Sequence, residues 1–359
     1  MSNPDKPFWS PTLPTLQLRW SATALSVAMT CWRKYFYHYI LKLRDPERSA
    51  DLDWGDFLHR SLAVFDGVIY AGGSEEDATV AAVRKAMELT ETVVKRTECL
   101  ECGTGFDAVA LGLLEPEFRR CGRCGMSLIE AWHVRRREDV EFWASPNTAK
   151  TRATLLRAVA NYGAGLGVIP PLVLPGSPVA EVGFEMEPAG GFTVYGRLDG
   201  LIEGDSGPRS AWIRERKSTK SALSKFYFST FAPHVEVSVQ SLAAREGWAG
   251  AAGFRVQGVI IEAIQTGVGF VRYARERIAV SEERTAEFKR LLTRLWEDAK
   301  RNAEKDDVGP SLRTFPEREA AWPMNESACY NCHFRSLCAK APSVRHRFYE
   351  EFRKEKETT

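Results

Sequence analysis

Two short segments in the second half of the chain carry acidic and basic side chains at a spacing that could support chemistry. The first is Gly196-Arg197-Leu198-Asp199, and the second is Glu215-Arg216-Lys217. Glu215 and Lys217 are two residues apart on a predicted strand, so their side chains point to the same face of the sheet. Asp199 ends the preceding predicted strand, where antiparallel pairing would bring its carboxylate close to Glu215. Two close carboxylates repel each other unless a cation lies between them, and Mg²⁺ and Mn²⁺ prefer such oxygen ligands.

These three side chains would supply the parts that hydrolysis of a phosphodiester needs. A metal ion held by Asp199 and Glu215 would polarise the phosphoryl oxygen and lower the pKa of bound water. Lys217 would orient that water or stabilise the negative charge of the transition state. The pattern alone is weak, because Glu-x-Lys also occurs on solvated strand edges. An aspartate sixteen residues upstream adds only modestly to its specificity.

The same residues resemble the G-R-x-D and (D/E)-x-K motifs of the RecB-like branch of PD-(D/E)XK nucleases. That branch also has a G-x-x-x-H motif on an early helix, which residues 55–59 match. The resemblance implies that His59 is a metal ligand, and a half-buried helix histidine is the alternative. It also implies that Gln240, on the helix after the catalytic strand, belongs to the site, although Ala244 replaces the usual tyrosine four residues later. Glu181, at the start of an earlier predicted strand, is a weaker candidate for a further polar group.

The catalytic motif lies in a basic stretch of the chain. The formal net charge of +2, from 49 basic and 47 acidic residues, is too balanced to indicate nucleic-acid binding by itself. Arg214 and Arg216 flank Glu215, whereas the family often has an apolar strand and an Asp-Tyr-Lys sequence here. We therefore hypothesise that both arginines contact phosphates. The whole local cluster consists of Arg209, Arg214, Arg216, Lys217, Lys220 and Lys225.

Four cysteines near the two ends of the chain form one predicted cofactor site. Cys31 stands alone near the N-terminus, and Cys329, Cys332 and Cys338 follow a C-x2-C-x5-C pattern. This arrangement resembles the iron–sulfur staple of AddB-type and CRISPR-associated nucleases of the same family. The resemblance implies a [4Fe–4S] cluster held by four thiolates, which is the normal ligation. The alternative is zinc bound by the three C-terminal cysteines and either Cys31 or His333.

The other four cysteines predict a zinc ribbon. Cys99-x2-Cys102 and Cys121-x2-Cys124 are separated by 18 residues, with glycines beside each pair. Two such pairs at this distance are a strong signature of tetrathiolate zinc, which would fold a module that has little core of its own. The ribbon is an insert relative to the family pattern, and it could contact DNA, a partner protein or the helical region.

The predicted elements indicate an α/β fold. The resemblance implies the PD-(D/E)XK (restriction-endonuclease-like) mixed sheet flanked by helices, with a helical N-terminal region and the zinc-ribbon insert. Apolar periodicity predicts helices over residues 23–43, 54–70, 75–96, 148–166, 235–248 and 281–304, and strands over 179–187, 192–203, 211–217, 256–263 and 269–279. The division of the chain that follows is an N-terminal helical region (1–96), the ribbon insert (97–128), a helical connector (129–170), the nuclease core with the C-terminal cysteines (171–345) and a charged tail (346–359).

Together these features predict a Mg²⁺- or Mn²⁺-dependent deoxyribonuclease, acting as an exonuclease or on single strands in recombination, repair, phage replication or defence. The sequence has no Walker A motif, so helicase action would require a separate partner chain. No window is apolar enough to span a membrane, and the polar, proline-rich N-terminus lacks a signal-peptide core, which predicts a cytoplasmic protein. The alternatives are a catalytically silent module that binds DNA or protein, and an adaptor whose function resides in the zinc ribbon.

Overall fold

The computed structural model describes most of the chain outside the region between residues 100 and 148. The described residues are 7–13, 15–43, 50–99, 105–107, 128–136, 149–188, 191–232, 234–305, 329, 332–340 and 347–348. For residues 50–53, 91–99, 105–107, 128–136, 248 and 305 the description covers the backbone only.

The described chain contains both helices and strands. The helices are α1 (Ala22–Thr30), α2 (Trp32–Tyr35), α3 (Ala50–Tyr70), α4 (Glu75–Thr90), α5 (Arg152–Ala160), α6 (Tyr162–Leu166), α7 (Lys225–Ser229), α8 (Val235–Glu246), α9 (Trp248–Ala251), α10 (Glu282–Lys305) and α11 (Arg335–Cys338), with a π-helical turn at Phe36–Ile40. The strands are β1 (Arg19–Ser21), β2 (Glu91–Cys99), β3 (Gly105–Asp107), β4 (Leu128–Arg136), β5 (Val182–Met186), β6 (Thr193–Leu198), β7 (Gly200–Glu203), β8 (Ser210–Thr219), β9 (Arg255–Gly267) and β10 (Phe270–Ala279).

The central sheet has the strand order β10-β9-β8-β7 and is mixed. β8 runs parallel to β9, whereas β7 and β10 pair with their neighbours in antiparallel fashion. A parallel pair needs a crossover connection, usually a helix, and α7, α8 and α9 lie between β8 and β9 in the chain. This arrangement confirms the predicted α/β class with a mixed sheet flanked by helices.

A β-bulge sets the register of the parallel pair. Ala211 pairs with Val256 and Trp212 with Gly258, so Gln257 is the extra residue on β9. Gly258 has a φ of 154°, and a Cβ atom there would lie 2.2 Å from the carbonyl oxygen of Ile278. The bulge therefore requires glycine at this position, and it determines which β9 residues lie opposite the catalytic motif.

A second sheet with the order β1-β6-β5 leads directly into the central sheet. β6 pairs with β5 and with β1, and the chain then passes through Asp199 into β7, which pairs with β8. The single strand predicted over residues 192–203 is thus two strands that belong to different sheets. Asp199 lies at the junction of the two sheets, between β6 and β7.

Both faces of the central sheet are covered by helices. On one side α8 packs against β8, β9 and the second sheet, and its apolar residues join the largest core cluster with Ile213, Val259 and Ile261. On the other side α3, α4 and α5 form a second cluster that includes Ile264. No helix of the described chain is long and apolar enough to cross a membrane.

The helix predicted over residues 23–43 is interrupted at Cys31. This residue has an extended backbone, with φ −163° and ψ 108°, and its thiol accepts a hydrogen bond from the backbone N–H of Lys34 at 3.4 Å. Cys31 therefore ends α1 and caps α2 through its own side chain. A second predicted helix, over 148–166, begins at Arg152 and is interrupted at Asn161.

The prediction of helix through residue 96 was wrong. α4 ends at Thr90 and the chain continues as β2, which pairs with β4 from Glu91–Arg136 to Cys99–Leu128. The sequence Thr92-Val93-Val94 explains the change, because β-branched side chains favour strands over helices. The helical connector predicted over 129–170 likewise begins as a strand. The β2–β4 ladder reaches the pair Cys99–Leu128, and β3 pairs with the other edge of β2.

Candidate active site

Strand β8 presents polar side chains on both of its faces. Alternation along the strand places Glu215 and Lys217 on one face, as predicted, and Arg214 and Arg216 on the other. Glu215 is only 4% exposed. Each face therefore needs partners that compensate buried charge, and different helices supply them.

The face that carries Glu215 and Lys217 meets α8. Gln240 donates a hydrogen bond from Nε2 to Glu215 Oε2 at 2.6 Å. The Nζ atom of Lys217 lies 2.5 Å from Glu215 Oε1 and 2.7 Å from Glu236 Oε2. Glu236 and Gln240 are four residues apart, so they share one face of α8. The lysine is thus held between two carboxylates that come from different elements.

Asp199 joins this cluster from the junction of β6 and β7. Its Oδ2 accepts a hydrogen bond from the backbone N–H of Arg216 at 2.5 Å, which ties the carboxylate to the catalytic strand. Its Oδ1 lies 2.7 Å from Nδ1 of His59 on α3. The side chain is 7% exposed. One aspartate therefore connects α3, the strand junction and β8.

The charges of His59 and Asp199 stabilise each other. Burial lowers the pKa of His59, but the adjacent Asp199 carboxylate outweighs this effect and raises the pKa to about 9. Burial raises the pKa of Asp199, but the charge and hydrogen bond of His59 dominate and bring it to about 2. Without a metal, the imidazolium therefore neutralises Asp199 as Lys217 neutralises Glu215.

Glu215 is in a less favourable electrostatic environment. Burial raises its pKa, Lys217 opposes the increase, and the nearby carboxylates of Asp199 and Glu236 add to it, with a result of about 7. The pKa of Lys217 is raised far above its usual value, because Glu215 and Glu236 outweigh the cost of burial. Burial and the neighbouring carboxylates therefore favour the protonated form of Glu215, although Lys217 opposes them.

Glu181 completes the group on the side of Asp199. Its backbone N–H donates to the Asp199 carbonyl at 3.3 Å, and its φ is +54°. His59, Glu181 and Asp199 each offer a ligand atom, and these atoms lie within 4.8 Å of one another. Burial and the Asp199 charge raise the pKa of Glu181. The weakest of the predicted polar groups is therefore part of the cluster.

Comparison with known proteins identifies the family. A model of the PD-(D/E)XK nuclease superfamily matches residues 19–339. The chain belongs to this superfamily. Its members are in general hydrolytic nucleases that use divalent metal ions and act on DNA. No curated protein matches the sequence.

Solved structures with a partial similarity include the crystal structure of SSO0001. The sequence identity is 16% and the TM-score is 0.24. The match covers 45% of this chain and 59% of the solved chain, so the present chain spans less than two thirds of the length of the solved one.

The donor set fits the divalent cation that the superfamily uses. The imidazole nitrogen of His59 and carboxylate oxygens of Glu181 and Asp199 lie within 4.8 Å of one another, and these are ligand types that divalent cations accept. Glu215 lies on the neighbouring strand, where burial and nearby carboxylates raise its pKa. The Oε1 atom of Gln240 is buried without a hydrogen-bond partner. These residues could hold Mg²⁺ or Mn²⁺.

The hypothesis that Arg214 and Arg216 contact phosphates was wrong. Both are 1% exposed and lie on the inner face of β8. Arg214 Nη1 donates to Asp66 Oδ1 at 2.8 Å, and Arg216 Nη2 donates to both carboxylate oxygens of Asp66 at 2.8 and 2.9 Å. Glu262 and the hydroxyl of Tyr162 complete the network. The arginines lie on the face of β8 opposite Glu215 and Lys217, where they form buried ion pairs and are not accessible to a substrate.

Glu236, the second carboxylate beside Lys217, was not predicted from the sequence. The available signal was its position one helical turn before Gln240, which puts both side chains on the face of α8 that meets the catalytic strand. The predicted site residues His59, Asp199, Glu215, Lys217 and Gln240 are all brought together by the structure.

Two of the four cysteines of the predicted iron–sulfur site lie where an N-terminal and a C-terminal segment meet. Cys332 and Cys338 pack against a cluster that includes Phe36, Tyr37 and Phe334. The rings of Tyr37 and Phe334 are 5.3 Å apart. The residues after Cys31 and the C-terminal cysteine segment therefore share one small core. Of the predicted zinc ligands, Cys102, Cys121 and Cys124 lie outside the described residues, and Cys99 is described by its backbone only.

Proposed function

We propose that the chain is a metal-dependent deoxyribonuclease of the RecB-like branch of the superfamily. The observation that carries this proposal is the convergence of His59, Asp199, Glu215, Lys217 and Gln240 from four elements into one hydrogen-bonded cluster. Four of its members, His59, Asp199, Glu215 and Lys217, are ionisable groups whose neighbours shift their pKa values, and such groups cluster at functional sites.

Each side chain has a role in phosphodiester hydrolysis. A bound Mg²⁺ or Mn²⁺ would supply Lewis-acid polarisation of the phosphoryl oxygen and a lower pKa for the attacking water. His59, Asp199 and Glu215 would hold the ion, with Glu181 at the edge of the same group. Lys217 orients the attacking water and stabilises negative charge that develops on the phosphate.

Glu236 and Gln240 position the catalytic groups. Gln240 fixes one oxygen of Glu215 through its hydrogen bond, which leaves the other oxygen toward Lys217. Glu236 also contacts the ammonium of Lys217 and would keep it in place if Glu215 held a metal ion. The imidazole of His59 would have to lose the proton that Asp199 retains on it before it could act as a ligand.

The variant Lys217→Ala provides the decisive test of the nuclease proposal. We expect Lys217→Ala to reduce cleavage of end-labelled single- and double-stranded DNA by roughly 10²- to 10³-fold, the usual effect of removing one group that stabilises transition-state charge. The measurement uses full-length protein purified anaerobically, with Mg²⁺ or Mn²⁺, and the ladder of products gives the polarity. Lys289→Ala is the matched control, since Lys289 pairs with Glu246 on the exposed surface of α10.

Two results would contradict the proposal. The first is a parent protein that binds DNA but cuts it with neither metal, which would favour a catalytically silent binding module. The second is a Lys217→Ala variant that cleaves as fast as the Lys289→Ala control.

The finer assignment is an exonuclease or single-strand-processing activity in recombination, repair, phage replication or defence. Its support is the contact between His59 of the G-x-x-x-H motif and Asp199 of the G-R-x-D motif, since both motifs mark the RecB-like branch. A separate helicase chain would supply ATP-driven unwinding where the pathway requires it. Internal cleavage of a circular single strand would exclude a strict exonuclease.

We propose that Cys31, Cys329, Cys332 and Cys338 hold a [4Fe–4S] cluster that joins the chain ends. The support is the shared core that the two segments form. Cys99, Cys102, Cys121 and Cys124 are proposed as the zinc site.

Metal analysis separates these two assignments. We expect anaerobically purified protein to contain about four iron atoms and one zinc atom per chain and to absorb visible light as iron–sulfur proteins do. Cys332→Ser should remove the iron and leave the zinc, while Cys121→Ser should do the opposite. Colourless, iron-free parent protein would refute the cluster. Zinc content that does not respond to Cys121→Ser would refute the ribbon.

A further inference from the structure

The segment that connects the catalytic strand to α8 is basic and contains no acidic residue. Residues 216–235 include Lys217, Lys220, Lys225 and His234 in addition to the buried Arg216, and no aspartate or glutamate. Lys220 and Lys225 are exposed. Nucleic-acid backbones attract surfaces of this kind through their phosphate charge, and this surface begins three residues after Lys217.

Phe226 on α7 is unusually exposed for its type. At 80%, its exposed fraction is the highest of the large apolar side chains in the described chain. Leaving a phenylalanine ring in water gives up the favourable free energy of burying it. Its neighbours do not share this exposure, because Phe228 and Phe231 are each 7% exposed and belong to the main core. The ring of Phe226 is therefore displayed from a well-anchored turn.

α7 is also tied to the end of the catalytic strand. Ser224 caps the helix by accepting from the backbone N–H of Tyr227 at 3.2 Å. Burial raises the pKa of Tyr227, while its hydrogen bond to Thr219 and the nearby charge of Lys217 lower it. Tyr227 thus lies close to Thr219 of β8 and to the charge of Lys217. Phe226 is the residue immediately before Tyr227, so its backbone is anchored close to the end of the catalytic strand.

We propose that Phe226, flanked by Lys220 and Lys225, is a stacking platform for an unpaired base of single-stranded DNA at the entrance of the catalytic site. An exposed aromatic ring between lysines matches the two parts of a single strand, because every base offers an aromatic face and every linkage a negative charge. Paired bases inside a duplex do not offer that face. The inference rests on the proposed nuclease function and deepens it by naming unpaired DNA as the preferred substrate.

Binding in the absence of cleavage tests the platform. Fluorescence anisotropy of a labelled thymidine oligonucleotide in EDTA would compare the full-length parent with Phe226→Ala. We expect affinity for the single strand to fall roughly 5- to 100-fold, as for loss of one stacked base, while affinity for a duplex of equal length changes less than about two-fold. Phe226→Tyr should restore binding because it keeps the ring, and melting temperatures should not change because Phe226 is exposed.

Tyr70→Ala is the matched control. Tyr70 is an exposed aromatic at the end of α3, eleven residues beyond His59, which is about 16 Å along a helix axis. Its replacement should leave single-strand binding unchanged.

The outcomes separate the platform from the nuclease activity. Phe226→Ala that binds the single strand like the parent, or that weakens single strand and duplex equally, would overturn the platform even if the parent cleaves DNA. Ring-dependent binding by a parent that never cleaves would support the platform and overturn the nuclease proposal.

Discussion

Replacing Arg216 with alanine is expected to lower the free energy of unfolding by about 3 to 5 kcal/mol, the usual cost of breaking a buried ion pair from one side. Arg216 lies next to Glu215 in sequence but on the opposite face of β8. Its guanidinium donates to Asp66 and to the hydroxyl of Tyr162 at 2.9 Å. Removing it would leave the Asp66 carboxylate, which is 2% exposed, with Arg214 as its remaining cation.

The network around Arg216 explains why the loss would be so large. Asp66 and Glu262 carry two negative charges in the core, and Arg214, Arg216 and the partly exposed Arg275 compensate them. The pKa of Arg216 is raised well above its usual value, because Asp66, Tyr162 and Glu262 outweigh the cost of burial. Each charge is therefore stable only while its partners remain in place.

Urea denaturation of the metal-free protein would measure the effect. Arg277→Ala is the matched control, because Arg277 also pairs with an aspartate, Asp205, but both side chains are more than half exposed. Exposed pairs of this kind contribute about 0.2 to 1 kcal/mol. If the two variants lost similar stability, the buried network would not be the structural support that its contacts indicate.

The two faces of β8 also show how far the sequence could be interpreted. Alternation along the strand was sufficient to place Glu215 and Lys217 together, which their contacts confirm. The same alternation places Arg214 and Arg216 on the opposite face, but it does not reveal what covers that face. The partner Asp66 is 148 residues from Arg214, and no local pattern reports a contact over that distance. Two buried arginines were consequently interpreted as phosphate ligands.

The helical elements show a similar limit. Helix α3 was predicted closely, because its apolar positions repeat at helical spacing over five turns. The helix predicted to continue to residue 96 became a strand at Glu91, since pairing with a segment more than 30 residues away outweighed the local continuity. The break at Cys31 depends on a thiol that caps the following helix, which apolar spacing cannot show. Glu236 was missed because its partner Lys217 lies on another element.

Glu215→Gln is expected to abolish cleavage without destabilising the metal-free protein. Losing a ligand oxygen would cost several kcal/mol of charge stabilisation, which corresponds to a rate roughly a thousand-fold lower. The glutamine should nevertheless be accommodated in the fold. Its carbonyl can accept the existing hydrogen bond from Gln240 Nε2, and its amide can turn toward Gln240 Oε1, which has no partner in the parent.

The shifted pKa of Glu215 predicts how the stability difference between Glu215→Gln and the parent changes with pH. In the folded protein the pKa of Glu215 is raised from 4.5 to about 7. Burial is the main cause, Lys217 lowers the pKa, and the Asp199 carboxylate raises it further. A folded pKa above the unfolded one means that ionisation disfavours folding. The penalty is absent below about pH 4.5, grows up to about pH 7, and is constant above it. In EDTA, the variant should therefore gain stability relative to the parent as the pH increases over that range.

Metal-induced stabilisation completes the comparison between the neighbouring residues Glu215 and Arg216. A ligand that binds only the folded state raises its stability in proportion to the logarithm of its concentration. Mn²⁺ should therefore raise the melting temperature of the parent and of Arg216→Ala, but not that of Glu215→Gln. A Glu215→Gln variant that is as unstable as Arg216→Ala, or that still responds to Mn²⁺, would contradict the division of β8 into a catalytic face and a structural face. If both variants behave as expected, adjacent residues on one strand have separate roles. Burying the carboxylate of Glu215 costs stability that its catalytic role requires. Arg216, on the opposite face, stabilises the fold because it compensates the buried charges of Asp66 and Glu262.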